Sequence, residues 1–201
     1  MGGDRSVEAA KMMKPYAQPR TLSSRYMVLV NRAPVLMLWA AIVAERLGFD
    51  HRAALSLGKA LAGLNAQSKG RSLGIFKPAE HPEGLPLRGA GLGEEFRVEL
   101  LGRAVPAKTT GEGVRAVVKD KPIRAEGVER YLEQKFGPTL PTVEKALKAL
   151  AESFKPDELA AVAFSLYERF RPDIPDGVRG WGAKGELDLK RIESLKHPRR
   201  P

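Results

Sequence analysis

The chain has 201 residues, 43% of them apolar and 29% charged, a formal net charge of +10 and no cysteine. That length supports a sizeable core without covalent staples, and the missing cysteines exclude disulfides, thiolate metal sites and cysteine nucleophiles. The three histidines, at 51, 81 and 197, are scattered, so no His-rich metal site is expected and nothing calls for a cofactor.

The positive excess is the only global pointer to a partner. It lies mainly in residues 1–92 and 184–201, while residues 137–183 are close to neutral. A cationic surface attracts phosphate polymers because neutralising them releases condensed counterions; it also simply keeps a protein in solution. The most apolar stretch, residues 33–44, falls short of the roughly twenty residues that span a bilayer. No membrane partner is expected, and the cysteine-free composition fits a reducing cytoplasm.

Residues 1–25 mix Gly, Pro, Ser and charges and read as a flexible segment. Residues 26–30 are a short apolar run, either a strand or the approach to a helix. Pro34 reads as the first residue of a helix running to Leu47, apolar on nearly every face. Gly48 should end it and Asp50 should cap a second helix, which fades between Lys69 and Gly74. This helical hairpin covers residues 34–70. Residues 74–93, rich in Gly and Pro, read as loop.

From residue 94 the period changes to two. Phe96, Val98 and Leu100 alternate with charged residues, and Val114, Ala116 and Val118 repeat the pattern. Residues 102–113 would be a long hairpin connection, and a helix over 125–136 closes a hairpin-and-helix unit spanning 94–137. In the helical part over 139–196, Thr142 caps a helix or sits near its start, and Pro156 opens another at N1. A Pro/Gly-rich loop follows, with Trp181 as its anchor, and residues 186–195 form a last short helix. The predicted fold is α+β in one body, predominantly helical, with an antiparallel hairpin or small sheet packed on helices.

Three features could meet a ligand. Val43, Ala44, Leu47, Gly48, Phe49, Ala54 and Leu57 fall roughly where a helix-turn-helix places its packing residues, which would put Arg52, Ser56 and Lys59 on one exposed side of the second helix. An ordinary helical hairpin explains the same residues. The stretch 69–77 offers Lys69, Arg71 and Lys77 with Phe76 and two glycines, a basic loop able to follow a phosphate backbone; cations that end a helix explain it equally. Arg103, Lys108 and Arg115 with Thr109 and Thr110 could make a basic β-finger, or a solvated loop. Asn65, Gln67 and Ser68 could be buried between helices or be the polar end of one.

Acid–base chemistry has little support. Glu45 and Asp50 flank the first turn and could neighbour His51, but nothing in the sequence brings the three together, and no nucleophile elbow, zinc-binding helix or phosphate-binding loop occurs. The leading expectation is nucleic-acid binding through backbone phosphates by Arg52, Lys59, Lys69, Arg71 and Lys77, without chemistry. A structural or protein-interaction domain, self-associating as a dimer, is the alternative. An enzyme acting on a small ligand, with His51 or His81 in its site, is the third.

Overall fold

A strand and a helix meet at Asn31. In the computed structural model, which describes residues 26–72, 91–178 and 182–196, strand β1 (Met27–Asn31) runs directly into helix α1 (Arg32–Arg46). Pro34 is the third helical residue, further in than the N1 position expected from sequence. It costs nothing there, because first-turn N–H groups have no intrahelical acceptor. Every residue from 34 to 44 is buried, so α1 is the central rod of the molecule.

Gly48, at φ +96°, reverses the chain in a conformation that L side chains resist. The Asp50 carboxylate then accepts the Ala53 N–H at 2.9 Å and starts helix α2 (His51–Ser72). The two helices cross closely at Gly58, where a Cβ would lie 2.4 Å from the Met37 carbonyl oxygen and 3.1 Å from the Ala41 nitrogen. A small residue at the crossing is what lets the backbones touch.

Strands β2 (Glu95–Leu100), β3 (Arg103–Thr110), β4 (Gly113–Val118) and β5 (Lys121–Pro122) form an antiparallel sheet in that order. Paired residues Phe96, Ala107 and Ala116 share a buried face, as do Val98 and Val105. The connection expected over residues 102–113 is therefore mostly a strand, with tight turns on either side. Pro106 and the polar residues at the other positions mask its alternation. Pro106 is tolerated because the β3–β4 ladder ends at Ala107↔Ala116, one residue before the missing donor would matter. At the near end of the 74–93 loop, the Gly93 N–H donates to the Thr109 carbonyl at 2.7 Å.

Helix α3 (Ala125–Phe136) ends at Gly137, whose φ is +53°. A 3-10 turn, Gly137–Thr139, leads into α4 (Leu140–Glu152). Thr142 sits near the start of α4, as its third residue, and does not cap it; the N-cap position is Thr139, which makes no side-chain cap bond. Helix α5 (Pro156–Phe170) opens on Pro156 at N1, as its sequence predicts. It docks on α1 through Trp39, whose indole N–H donates to the buried Ala163 carbonyl at 2.9 Å and whose ring meets Phe170 edge-on at 5.4 Å.

Residues 184–188 form strand β6 (Lys184–Asp188), antiparallel to β1, and only Leu189–Ser194 is helical, as α6. The helix expected from residue 186 starts late because Leu187 pairs with Val28, a partner from the far end of the chain. Asp188 caps α6 by accepting the Lys190 N–H at 2.9 Å. Buried side chains from both sheets and from α1 to α6 join in one cluster. The fold is α+β and predominantly helical, with two small antiparallel sheets against the helices. The predictions for residues 1–25, for most of the 74–93 loop and for Trp181 lie outside the described residues.

Candidate functional site

The start of α2, the β3–β4 turn, strand β5 and the start of α3 surround an open groove of about 720 Å³. Each wall has a local cause. The Asp50 cap sets the first turn of α2 and with it Arg52. The β3–β4 turn is held by Thr110, whose hydroxyl donates to the Gly113 carbonyl at 2.8 Å and accepts the Glu112 N–H at 3.2 Å. Gly113, at φ +98°, takes the left-handed position that follows the turn in a bulged hairpin. Helix α3 begins after Arg124, which makes no side-chain cap bond; the Glu126 carboxylate in its first turn takes its own backbone N–H instead and offsets the positive end of the helix.

Arg52, Arg115, Lys121 and Arg124 supply four cations to the lining, against the carboxylates of Glu112 and Glu126; Pro122, Ile123 and Ala125 add an apolar wall. Arg115 is the unusual member, at 4% exposed. Its Nη1 donates to the Val114 carbonyl at 2.7 Å and stands 3.9 Å from Asp50. Its Nη2 is buried with no hydrogen-bond partner. Leaving a buried donor unpaired is costly, more so for a charged group.

One carboxylate stands between two guanidiniums. Glu112 Oε2 lies 3.6 Å from Arg52 Nη2 and 3.7 Å from Arg115 Nη2, close enough to attract both and too far to accept a hydrogen bond from either. Glu126 ion-pairs with Arg52. Its carboxyl is held below the usual range, first by its own backbone N–H at the helix start and then, against some desolvation, by Arg52. That corner of the groove favours negative charge.

Of the five cations singled out from sequence, the side chains of Arg52 and Lys59 are among the described residues. Arg52 lines the groove, paired with Glu126 and near Glu112. Lys59 lies over the Tyr131 ring at 4.7 Å, a cation–π contact. Lys69 and Arg71 belong to the last turns of α2, but their side chains, and all of Lys77, are outside the described residues. Ser56 does not share an exposed side with Arg52 and Lys59. It is fully buried, donating to the Ala53 carbonyl at 2.7 Å and accepting the Ala116 N–H at 2.9 Å. The sheet covers that side of α2. Gln67 and Ser68 are exposed and form the polar end of the helix.

Arg103 and Lys108 sit on β3 outside the groove lining, and of that set Thr110 and Arg115 reach it. Lys121 and Arg124 carry no signal in the sequence, because their relevance depends on β5 and α3 being brought beside α2. His51 meets acids from two elements: Glu45 lies 2.5 Å from Nδ1 and Glu129 3.4 Å from Nε2, while the imidazole stays 57% exposed. Asp50 is committed to its cap. His81 is outside the described residues. Among the described residues no group of His, Asp and Glu could hold a metal ion, and no helix is long and apolar enough to cross a membrane. No protein-family model matches the chain, and neither a curated protein nor a solved structure does.

Proposed function

We propose that this protein binds nucleic acid through its phosphates and performs no chemistry on it. The observation that carries the reading is the groove, where Arg52, Arg115, Lys121 and Arg124 converge and the buried Arg115 Nη2 lacks a hydrogen-bond partner. Lys121 and Arg124 pair with no acid among the described residues, so both are free to neutralise phosphates. The net charge of +10 supplies the long-range attraction. Helix α2 separates Arg52 from Lys69 by about 26 Å at 1.5 Å per residue. A ligand that engages the groove and the basic end of α2 together is therefore a polymer.

The test is fluorescence anisotropy of labelled single-stranded and duplex oligonucleotides against salt. Binding should weaken steeply between about 50 and 200 mM salt. Replacing Lys121 and Arg124 by alanine should flatten the log–log slope by about one unit for each phosphate that is no longer neutralised. Absence of binding by either strand form at about 50 mM salt removes the reading.

A second reading, association with another copy of the chain, is favoured by one observation. Leu29 is 61% exposed on β1, and β1 pairs only with β6 among the described residues. A molar mass that rises with concentration in light scattering would favour it.

A further inference from the structure

Resting on that reading, we propose that the groove takes a phosphate monoester, such as the terminal phosphate of a strand, in preference to an internal phosphodiester, and that Glu112 is the carboxylate it displaces. Three observations support this.

The first is charge. The lining carries four cations and two carboxylates. Asp50 stands behind Arg115 and is spent on capping α2. Once Glu112 swings away, the lining is strongly positive. A monoester is mostly a dianion at neutral pH, with a second pKa of about 6, and offers three terminal oxygens; a diester brings a single charge and fewer free oxygens.

The second is geometry. Glu112 lies between Arg52 and Arg115 at 3.6 and 3.7 Å and bonds to neither. A tetrahedral group with three free oxygens in its place can accept from both guanidiniums at once, and charge-assisted bonds of that kind are the strong ones. It would also give Arg115 Nη2 the acceptor it lacks. Glu112 is free to move: its side chain is 67% exposed at the tip of a two-residue turn.

The third is access. Arg115 is only 4% exposed and is reached past that turn. A strand end can enter with its phosphate foremost, whereas an internal phosphate must bring chain in on both sides.

The same chemistry could come from a free phosphorylated metabolite, and the experiment separates the sources. Binding is measured for one short oligonucleotide with and without a 5′-phosphate, for a nucleoside monophosphate, and for inorganic phosphate. The proposal expects the phosphorylated strand to bind about tenfold tighter, with the advantage shrinking as pH falls through about 6. Glu112→Gln should enlarge the ratio between the two strands and Arg124→Ala should shrink it. Both positions are exposed, so both variants should fold, whereas a change at the buried Arg115 would disturb the packing as well as the charge.

Equal affinity for the two strands overturns the monoester proposal and leaves backbone binding standing. An unchanged ratio in both variants also overturns it. If neither strand binds but the nucleoside monophosphate does, and Arg124→Ala weakens it, the nucleic-acid reading falls and the monoester site survives with a free metabolite as its source. Binding of none of the four removes both.

Discussion

Gly58 lies against the backbone of Met37 so closely that a single added carbon would stand 2.4 Å from the Met37 carbonyl oxygen. Further along the same helix, Gly63 has nothing within 4 Å of the equivalent position. The two glycines should respond oppositely to alanine. Gly63→Ala should stabilise by about 0.5–1 kcal/mol through helix propensity. Gly58→Ala gains the same propensity, but α1 and α2 must part; overpacking costs about 1–3 kcal/mol, so a net loss is expected. Thermal unfolding of the pair checks this, and a stabilised Gly58→Ala would mean the helices are not in contact there.

Ser56 joins α2 to β4 through one hydroxyl. Ser56→Ala leaves the Ala116 N–H buried without its acceptor, at a cost of about 1–3 kcal/mol. Urea unfolding should show a lower midpoint with an unchanged slope.

Tyr167 donates to the Arg32 carbonyl at 3.2 Å, and burial pushes its phenol up to about 12 against the partly opposing charges of Arg32 and Arg171. The unfolded chain loses this proton near pH 10, earlier than the folded one. Stability from this group is therefore complete below about pH 10 and drains away as pH rises from about 10 to 12, by about 3 kcal/mol in all. Tyr167→Phe should be less stable at neutral pH, where the bond to Arg32 is lost, and should fall less steeply over that alkaline window. Equal slopes for the two proteins would contradict the assignment.

Glu126 has the opposite sense. Its carboxyl is lowered first by its own backbone N–H and further by Arg52, so its contribution is present above the ordinary carboxylate range and is lost as pH falls through its depressed folded value. Carboxyl NMR titration should give Glu126 a midpoint below that of an exposed glutamate. Arg52→Ala should raise the midpoint partway, because the backbone N–H remains. A midpoint untouched by that substitution would show that Arg52 and Glu126 do not pair in solution.

Local signals carry much of the fold. Gly48 and Asp50 announce the α1–α2 turn, Pro156 the start of α5, and the alternation at Phe96, Val98 and Leu100 a strand, because caps and periodicity depend on nearby residues. Strand β3 is hidden by Pro106, which is tolerated only because its β4 ladder stops one residue away. Strand β6 is hidden because Leu187, Leu189 and Ile192 suit a helix equally well until β1 is known to lie beside them. The groove is legible only in fragments. Arg52 and Arg115 stand out, the latter as a lone charge in the run "GVRAVV". Their meeting with Lys121, Arg124 and Glu112 is a product of tertiary packing, which no spacing within one segment encodes.

The pairing of β1 with β6 bears on how the molecule is made. Val28 finds Leu187, 159 positions later, only after all the intervening elements have been synthesised, so a nascent chain on the ribosome holds β1 unmatched until then. The α1–α2 hairpin and the β2–β5 sheet can assemble earlier from neighbouring segments, and closure by β6 then comes last. A truncation that removes β6 and with it α6 should trap a product with much of its helix content intact and with β1 and the α6-facing side of α4 uncovered, a form prone to capture by chaperones.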